Sequence, residues 1–221
     1  MKNPSRRRVL THATRWAGLP ALGWLPGCGS LLPKPSPAPA LFALDDAASS
    51  AATVPGLAPP AGAPTLIVST PRAAAGFDTP RIVYLRQAHE LETFAYSQWV
   101  DTPARMLAPL IAKAIERTGA FRAVLLAPTA AAAELRLDTE LVRLQHEFLV
   151  QPSRVRLTLR AVLIETATRR VVAWREFDAS VPAASADPYG GVVAANQAVK
   201  ALLAELAAFC AQAALSVAVA R

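Results

Sequence analysis

Two cysteines, Cys28 and Cys210, are all that the 221 residues contain, so no framework of several disulfides can hold this chain together. Histidine is almost as scarce. Of three in total, only His89 and His146 lie beyond the N-terminal leader, which leaves a metal centre or a Cys-His nucleophile pair little to draw on. No Gly-rich phosphate loop and no GxSxG turn occurs anywhere, so the common phosphate-cradling and serine-esterase signatures are excluded. Acidic residues are missing from the first 44 positions. That absence explains the formal net charge of +7: residues 1–27 carry five Lys or Arg and no Asp or Glu, and without them +2 remains. A nearly neutral domain has little attraction for a phosphate backbone, and no nucleic-acid partner is expected.

What the leader does contain falls in a telling order. Lys2, Arg6, Arg7, Arg8 and Arg15 form a positive region, and the apolar stretch from Trp16 to Leu25 follows. That stretch is too short to span a bilayer but suits a secretory signal. It closes on Leu25-Pro26-Gly27-Cys28-Gly29-Ser30. A lipoprotein signal peptidase needs a Leu-like residue three places before a Cys and a small residue directly before it, and Leu25 and Gly27 meet those demands. Cys28 is therefore read as the first mature residue, carrying diacylglycerol on its sulfur and an acyl chain on its nitrogen. No other cofactor is expected. Ser5-Arg6-Arg7-Arg8-Val9-Leu10 also fits a twin-arginine signal, and the export route stays open between that and the general secretory path. The residue after Cys28 is Gly29 rather than an Asp that would retain the protein at the inner membrane, so the expected location is the periplasmic face of the outer membrane.

The mature chain divides by composition. Residues 28–64 are rich in Pro, Ala and Ser and read as an extended tether. One apolar island, Leu41-Phe42-Ala43-Leu44, has the character of a short strand that docks on the domain, and Asp45 to Pro64 reads as disordered. Residues 65–221 read as one domain, large enough to build a core by packing alone. Leu66-Ile67-Val68, Arg81 to Leu85, Thr93 to Val100 and Phe121 to Leu126 have strand character, and Pro71 to Pro80 reads as loop. Thr102 as N-cap, Pro103 at the first helical position and Gly119 past the end bound a helix with Met106, Leu107, Leu110, Ile111, Ala114 and Ile115 on its apolar side. The Ala130 to Ala133 run is compatible with a helical turn or a loop.

From Glu134 the signal is period two. Leu135, Leu137, Thr139 and Leu141 share one face, after which the phase flips to Leu144, His146 and Phe148, as a β-bulge near Val142 and Arg143 would produce. Val155 to Leu163 continues as an antiparallel partner, with Phe148 placed opposite Val155, His146 opposite Leu157, Leu144 opposite Leu159 and Glu147 opposite Arg156. A turn at Thr166 to Arg169 leads to Val171 to Phe177 and completes a meander. Gly191 to Val217 reads as a long core helix with Val192, Val199, Leu202, Leu203, Leu206, Phe209 and Cys210 on one stripe. Glu205 and Gln212 share a helix face and argue against a membrane span. The fold expected is α/β (α+β): a mixed, largely antiparallel sheet with a capped mid-chain helix and a long C-terminal helix packed on it.

No catalytic, cofactor-binding or metal-binding residue emerges, and no enzyme is expected. His146 reads as a hydrogen-bonded or rim histidine on the apolar face, and His89 as a loop residue. Arg136, Arg154, Arg156 and Arg160 form an outward row, but Asp138, Glu140 and Glu147 are interleaved, so the row reads as a cross-paired, solvated sheet face. Cys210 reads as a core residue. Trp99 reads as locking the start of the helix into the core, and Trp174 as either a core residue or an exposed partner contact.

The lipobox, the Leu41 to Leu44 island, Gly76-Phe77-Asp78, Arg81-Ile82-Val83-Tyr84, Phe94 to Trp99 before Pro103, Leu163 to Val172 and the long last helix together resemble the ABC-type transport auxiliary lipoprotein family, which includes the paraquat-inducible protein C lipoproteins. The resemblance implies an α/β domain beside an ABC permease and ATPase and a membrane-anchored MCE-domain protein, in a system that moves phospholipids between membranes. The membrane itself is a partner through the lipid anchor, and a homo-oligomer is compatible. Transfer of individual residues stops at Cys28. Thr166-Ala167-Thr168-Arg169 departs from the family, where relatives often have an Asp- or Gly-containing turn. The alternative function is a periplasmic lipoprotein that itself binds a small apolar ligand in a cavity.

Overall fold

The computed structural model describes residues 37–45 and 59–219, with side chains described up to residue 216. Leu25, Gly27, Cys28 and the first part of the tether lie outside the described residues, as do residues 46–58 of the second tether piece. The described residues form one compact unit. It is a mixed α/β structure with nine strands in one sheet, as the composition and periodicity predict.

The spine is a 13-residue strand. In chain order the strands are β1 (Ala40–Phe42), β2 (Thr65–Val68), β3 (Arg72–Ala73), β4 (Arg81–Leu85), β5 (Glu92–Trp99), β6 (Ala123–Leu126), β7 (Leu135–Glu147), β8 (Arg154–Glu165) and β9 (Val171–Pro182). The helices are α1 (Pro103–Glu116), between β5 and β6, and α2 (Pro188–Val219), which ends the described chain. Along one edge, β7 pairs antiparallel with β8 over its whole length, and β8 in turn with β9. Its other edge is shared in succession by β2, β3 and β4, all parallel to it. Beyond β2 lies β6, also parallel, and beyond β4 lie β5 (antiparallel) and β1 (parallel to β5). The Leu41 island thus enters the sheet as an edge strand, and Leu44 behind it is buried.

The bulge stands where the phase flip puts it: the register slips between Leu141 and Arg143, leaving Val142 without an opposite number. The expected hairpin register is corrected by two residues. Leu144 faces Leu157, His146 faces Val155, and Glu147 faces Arg154. Phe148 has left the ladder because β4 captures it, its N–H donating to the Leu85 carbonyl at 2.8 Å. The ring packs edge-on to Tyr84 at 5.9 Å. A slip of two preserves which face each side chain occupies.

Both helices cover the face formed by Leu135, Leu137, Leu141, Leu144, Leu157, Leu159, Leu163 and Phe177, all buried. Each such leucine contributes about 1.5–3 kcal/mol. On α1, Leu107, Ile111 and Ile115 are wholly buried, while Met106 and Leu110 are only partly so. Thr102 occupies the N-cap position but makes no side-chain capping bond. Asp101 serves that end instead, accepting the Thr102 N–H at 2.7 Å and pairing with Arg105 at 3.7 Å. Gly119 follows α1 at φ +65°, the left-handed conformation that stops a helix.

Two loop readings are refined. Pro71 to Pro80 contains the two-residue strand β3. Pro59 to Pro64 forms an ordered turn: the Ala63 N–H donates to the Pro60 carbonyl at 2.9 Å, and the Arg122 N–H to the Pro64 carbonyl at 3.0 Å. Just beyond it, Glu134 accepts from the Thr65 N–H and from Arg122, both at 2.8 Å. That carboxylate ties together β2, β7 and the approach to β6, and the Thr65 N–H, with Arg122, holds its pKa below the usual carboxylate value.

Candidate functional site

Chemically ambitious side chains are in quiet surroundings. Among the described residues no group of three His, Cys, Asp or Glu is placed to hold a metal ion. Cys210 is fully buried and burial pushes its thiol up to about 12, so the nucleophilic thiolate is suppressed at neutral pH. His89 sits in the β4–β5 loop at φ +69° and is exposed.

His146 is 2% exposed. Its Nε2 lies 3.0 Å from the Ser153 hydroxyl, while Nδ1 is buried with no hydrogen-bond partner. The tautomer with the proton on Nε2, donating to Ser153, leaves only a lone pair unsatisfied, which costs less than an orphaned N–H. Burial lowers the ring's pKa, against a smaller opposing influence from Asp187. The side chain ties the β7–β8 loop to the start of α2, a packing role consistent with its place on the apolar face.

The outward arginines divide. Arg136 pairs with Asp138 at 3.0 Å, Arg156 with Asp178 at 3.1 Å, and Arg160 bridges Glu140 at 3.2 Å and Glu176 at 3.0 Å. Arg156 and Arg160 are cross-paired as the interleaving predicts, with Asp178 on β9 taking the place expected of Glu147 opposite Arg156, while Arg136 pairs within its own strand. Such exposed pairs each contribute about 0–1 kcal/mol. Trp99 is buried at 3% exposure beside the entry to α1, whereas Trp174 is 68% exposed on the outer sheet face. Of the two readings open for Trp174, the exposed one holds.

The groove that sequence periodicity does not reveal lies in the helix layer. Leu110 and Ala114 of α1 face Val199, Leu203, Ala204 and Ala207 of α2 across a space of about 240 Å³, with Asp45, Arg117 and Lys200 at its margin. Asn196 fixes the adjoining chain: its Oδ1 accepts the Asp45 N–H at 2.9 Å and its Nδ2 donates to the Ala43 carbonyl at 3.2 Å. Leu110 and Ala114 read from the sequence as core residues, and only the structure shows them partly buried along this groove.

The family model described as ABC-type transport auxiliary lipoprotein component matches residues 42–207. The chain is similar to the crystal structure of protein XCC0632 from Xanthomonas campestris, with 25% identity and a TM-score of 0.64 over 69% of this chain and 87% of that one. A second crystal structure, of an uncharacterized protein, has 11% identity and a TM-score of 0.57 over 80% and 98% of the two chains. Lipoprotein GNA1162 from Neisseria meningitidis has 11% identity and a TM-score of 0.37 over 65% and 97%. No curated protein matches.

Proposed function

The chain belongs to the ABC-type transport auxiliary lipoprotein family, and from that membership we propose a non-enzymatic component of an MCE-type system that carries phospholipids between the two membranes. Acyl chains on Cys28 anchor it to the periplasmic face of the outer membrane. There the domain meets the MCE-domain protein served by the ABC permease and ATPase. The observation that carries this reading is the family match, which runs from β1 into α2. The Leu25, Gly27, Cys28 motif supplies the anchor, and two or three acyl chains make it firm where one would be marginal. Consistent with a docking role, His146 and Cys210 serve packing, and Arg156 and Arg160 serve sheet-face pairing.

The test has two arms. Palmitate labelling and membrane fractionation of the wild type and of Cys28→Ala should show label and outer-membrane recovery for the first and neither for the second. Affinity purification should recover the MCE-domain protein with the wild type. Absence of label in the wild type overturns the anchor, and purification with an unrelated transporter or with none overturns the MCE assignment. A second reading, a lipoprotein that itself binds an apolar ligand, is favoured by the α1–α2 groove.

A further inference from the structure

The groove between α1 and α2 owes its existence to alanine. At positions 114, 204 and 207 a larger side chain would close the space of about 240 Å³ that Leu110, Val199 and Leu203 otherwise bound. This lies below the range of about 300–1,000 Å³ usual for drug-sized ligands, so a sterol or a two-chain lipid does not fit. Its lining on α2 runs from Val199 to Ala207, about 12 Å at the helical rise per residue. That volume and length suit one unbranched chain.

A separate observation concerns the character of α2. The stretch from Pro188 to Ser216 is long and apolar enough to cross a membrane, yet only half of its most apolar window is buried. Core packing therefore accounts for one side of the helix and leaves the other unexplained. Ala201, Ala204 and Ala208 are exposed where a solvated helix would carry polar residues. Ala204 lines the groove, so its rim there is as compatible with hydrocarbon as its floor.

The charges at the margin select the head of the ligand. Lys200 is exposed and, among the described residues, has no ion-pair partner. Arg117, also at the margin, is engaged in an interaction of its own and is not counted on. Asp45 stands near Lys200, with its backbone fixed by Asn196. A neutral chain would leave the ammonium of Lys200 unused, whereas an anionic head meets it without leaving water.

We infer that this groove binds a single alkyl chain with an anionic head, of the fatty-acid or lysophospholipid class, the chain lying between α1 and α2 and the head at Lys200. The inference rests on the lipid-transport reading for the source of such a ligand. Binding itself requires only the domain.

The experiment uses residues 37–221, the compact unit that contains every strand and helix described, titrated against the fluorescent fatty acid cis-parinaric acid. Saturable one-to-one binding is expected, displaced by dodecanoate. Ala204→Phe places a ring in the slot from an exposed position, so the fold is retained, and affinity should fall about tenfold or more, the loss from excluding two methylenes. Lys200→Glu should weaken dodecanoate about fivefold or more by reversing the local charge while leaving displacement by dodecanol unchanged. Trp174→Ala, on the other face, should alter nothing.

Unsaturable partitioning, or Ala204→Phe binding as the wild type does, overturns the inference. Equal effects of Lys200→Glu on dodecanoate and dodecanol overturn the assignment of the head to that lysine. Dodecanoate and lysophospholipid competitors, compared side by side, distinguish the two sources. The titration contains no partner protein, so a failed purification with the MCE-domain protein leaves its outcome intact.

Discussion

Gly191 lies against His146 so closely that a Cβ on the glycine would stand 2.5 Å from the ring Nδ1 and 3.1 Å from Cε1. Helix α2 thus begins on the face of a buried histidine, and the glycine is required there by proximity rather than by backbone conformation. Gly191→Ala should destabilise the fold by about 1–3 kcal/mol, the usual cost of overpacking. The midpoint of urea unfolding should fall with the slope unchanged. An alanine variant as stable as the wild type would mean that the ring and the helix start can part freely.

Acid should act in two stages. Burial lowers the pKa of His146 from its ordinary 6.5, so the unfolded chain takes up that proton first. The stability this implies is whole above about pH 6.5 and declines as pH falls from there towards the folded value. The carboxylate of Glu134, held low by the Thr65 N–H, behaves as a depressed acid with an ordinary value of 4.5. Its contribution is present above that value and is lost only in stronger acid. Melting temperatures across pH 8 to 3 should show an early loss that His146→Gln removes and a later one that Glu134→Gln removes. A flat profile down to pH 5 contradicts the histidine assignment.

Arg169 holds φ +58° in the turn between β8 and β9. For an L-residue this conformation costs about 1–2 kcal/mol, whereas the extra chain entropy of glycine in the unfolded state costs about 0.4–1 kcal/mol. Arg169→Gly should therefore stabilise by about 0.5–1 kcal/mol. A denaturant titration that shows a loss instead would indicate that the guanidinium makes a contact worth more than the strain.

The two tryptophans should respond in opposite ways. Trp99→Ala removes a side chain only 3% exposed and should cost about 3–5 kcal/mol. Trp174→Ala removes one that is 68% exposed and should change stability by less than about 0.5 kcal/mol. Thermal unfolding of both variants decides the matter, and a large loss at Trp174 would place a cover over the outer face in solution.

Cys210, with its thiol raised to about 12, should resist iodoacetamide at neutral pH in the folded protein and react once urea unfolds it. Rapid labelling of the native domain would mean that α2 opens frequently.

Much of the architecture is legible in short-range pattern. The phase flip at Val142 marks the bulge because a period of two leaves no other way to keep Leu141 and Leu144 on one face. Thr102, Pro103 and Gly119 bracket α1 within a residue or two, although the capping bond expected of Thr102 is absent. The stripe from Val192 to Cys210 identifies the buried side of α2. Of the candidate site, the proposed anchor at Cys28 with Leu25 and Gly27 rests on sequence alone, since those residues lie outside the described ones.

The sequence by itself determined which residues face the core and where most of the elements lie, because each depends on neighbours within a turn or a strand. Only the tertiary structure decided that β2, β3 and β4 share one edge of β7, that Phe148 leaves the hairpin for Leu85, and that α1 and α2 leave a slot between them. Alternation fixes a face but is blind to slips of two. Register and grooves are settled by contacts between residues far apart in the chain, which no local period records.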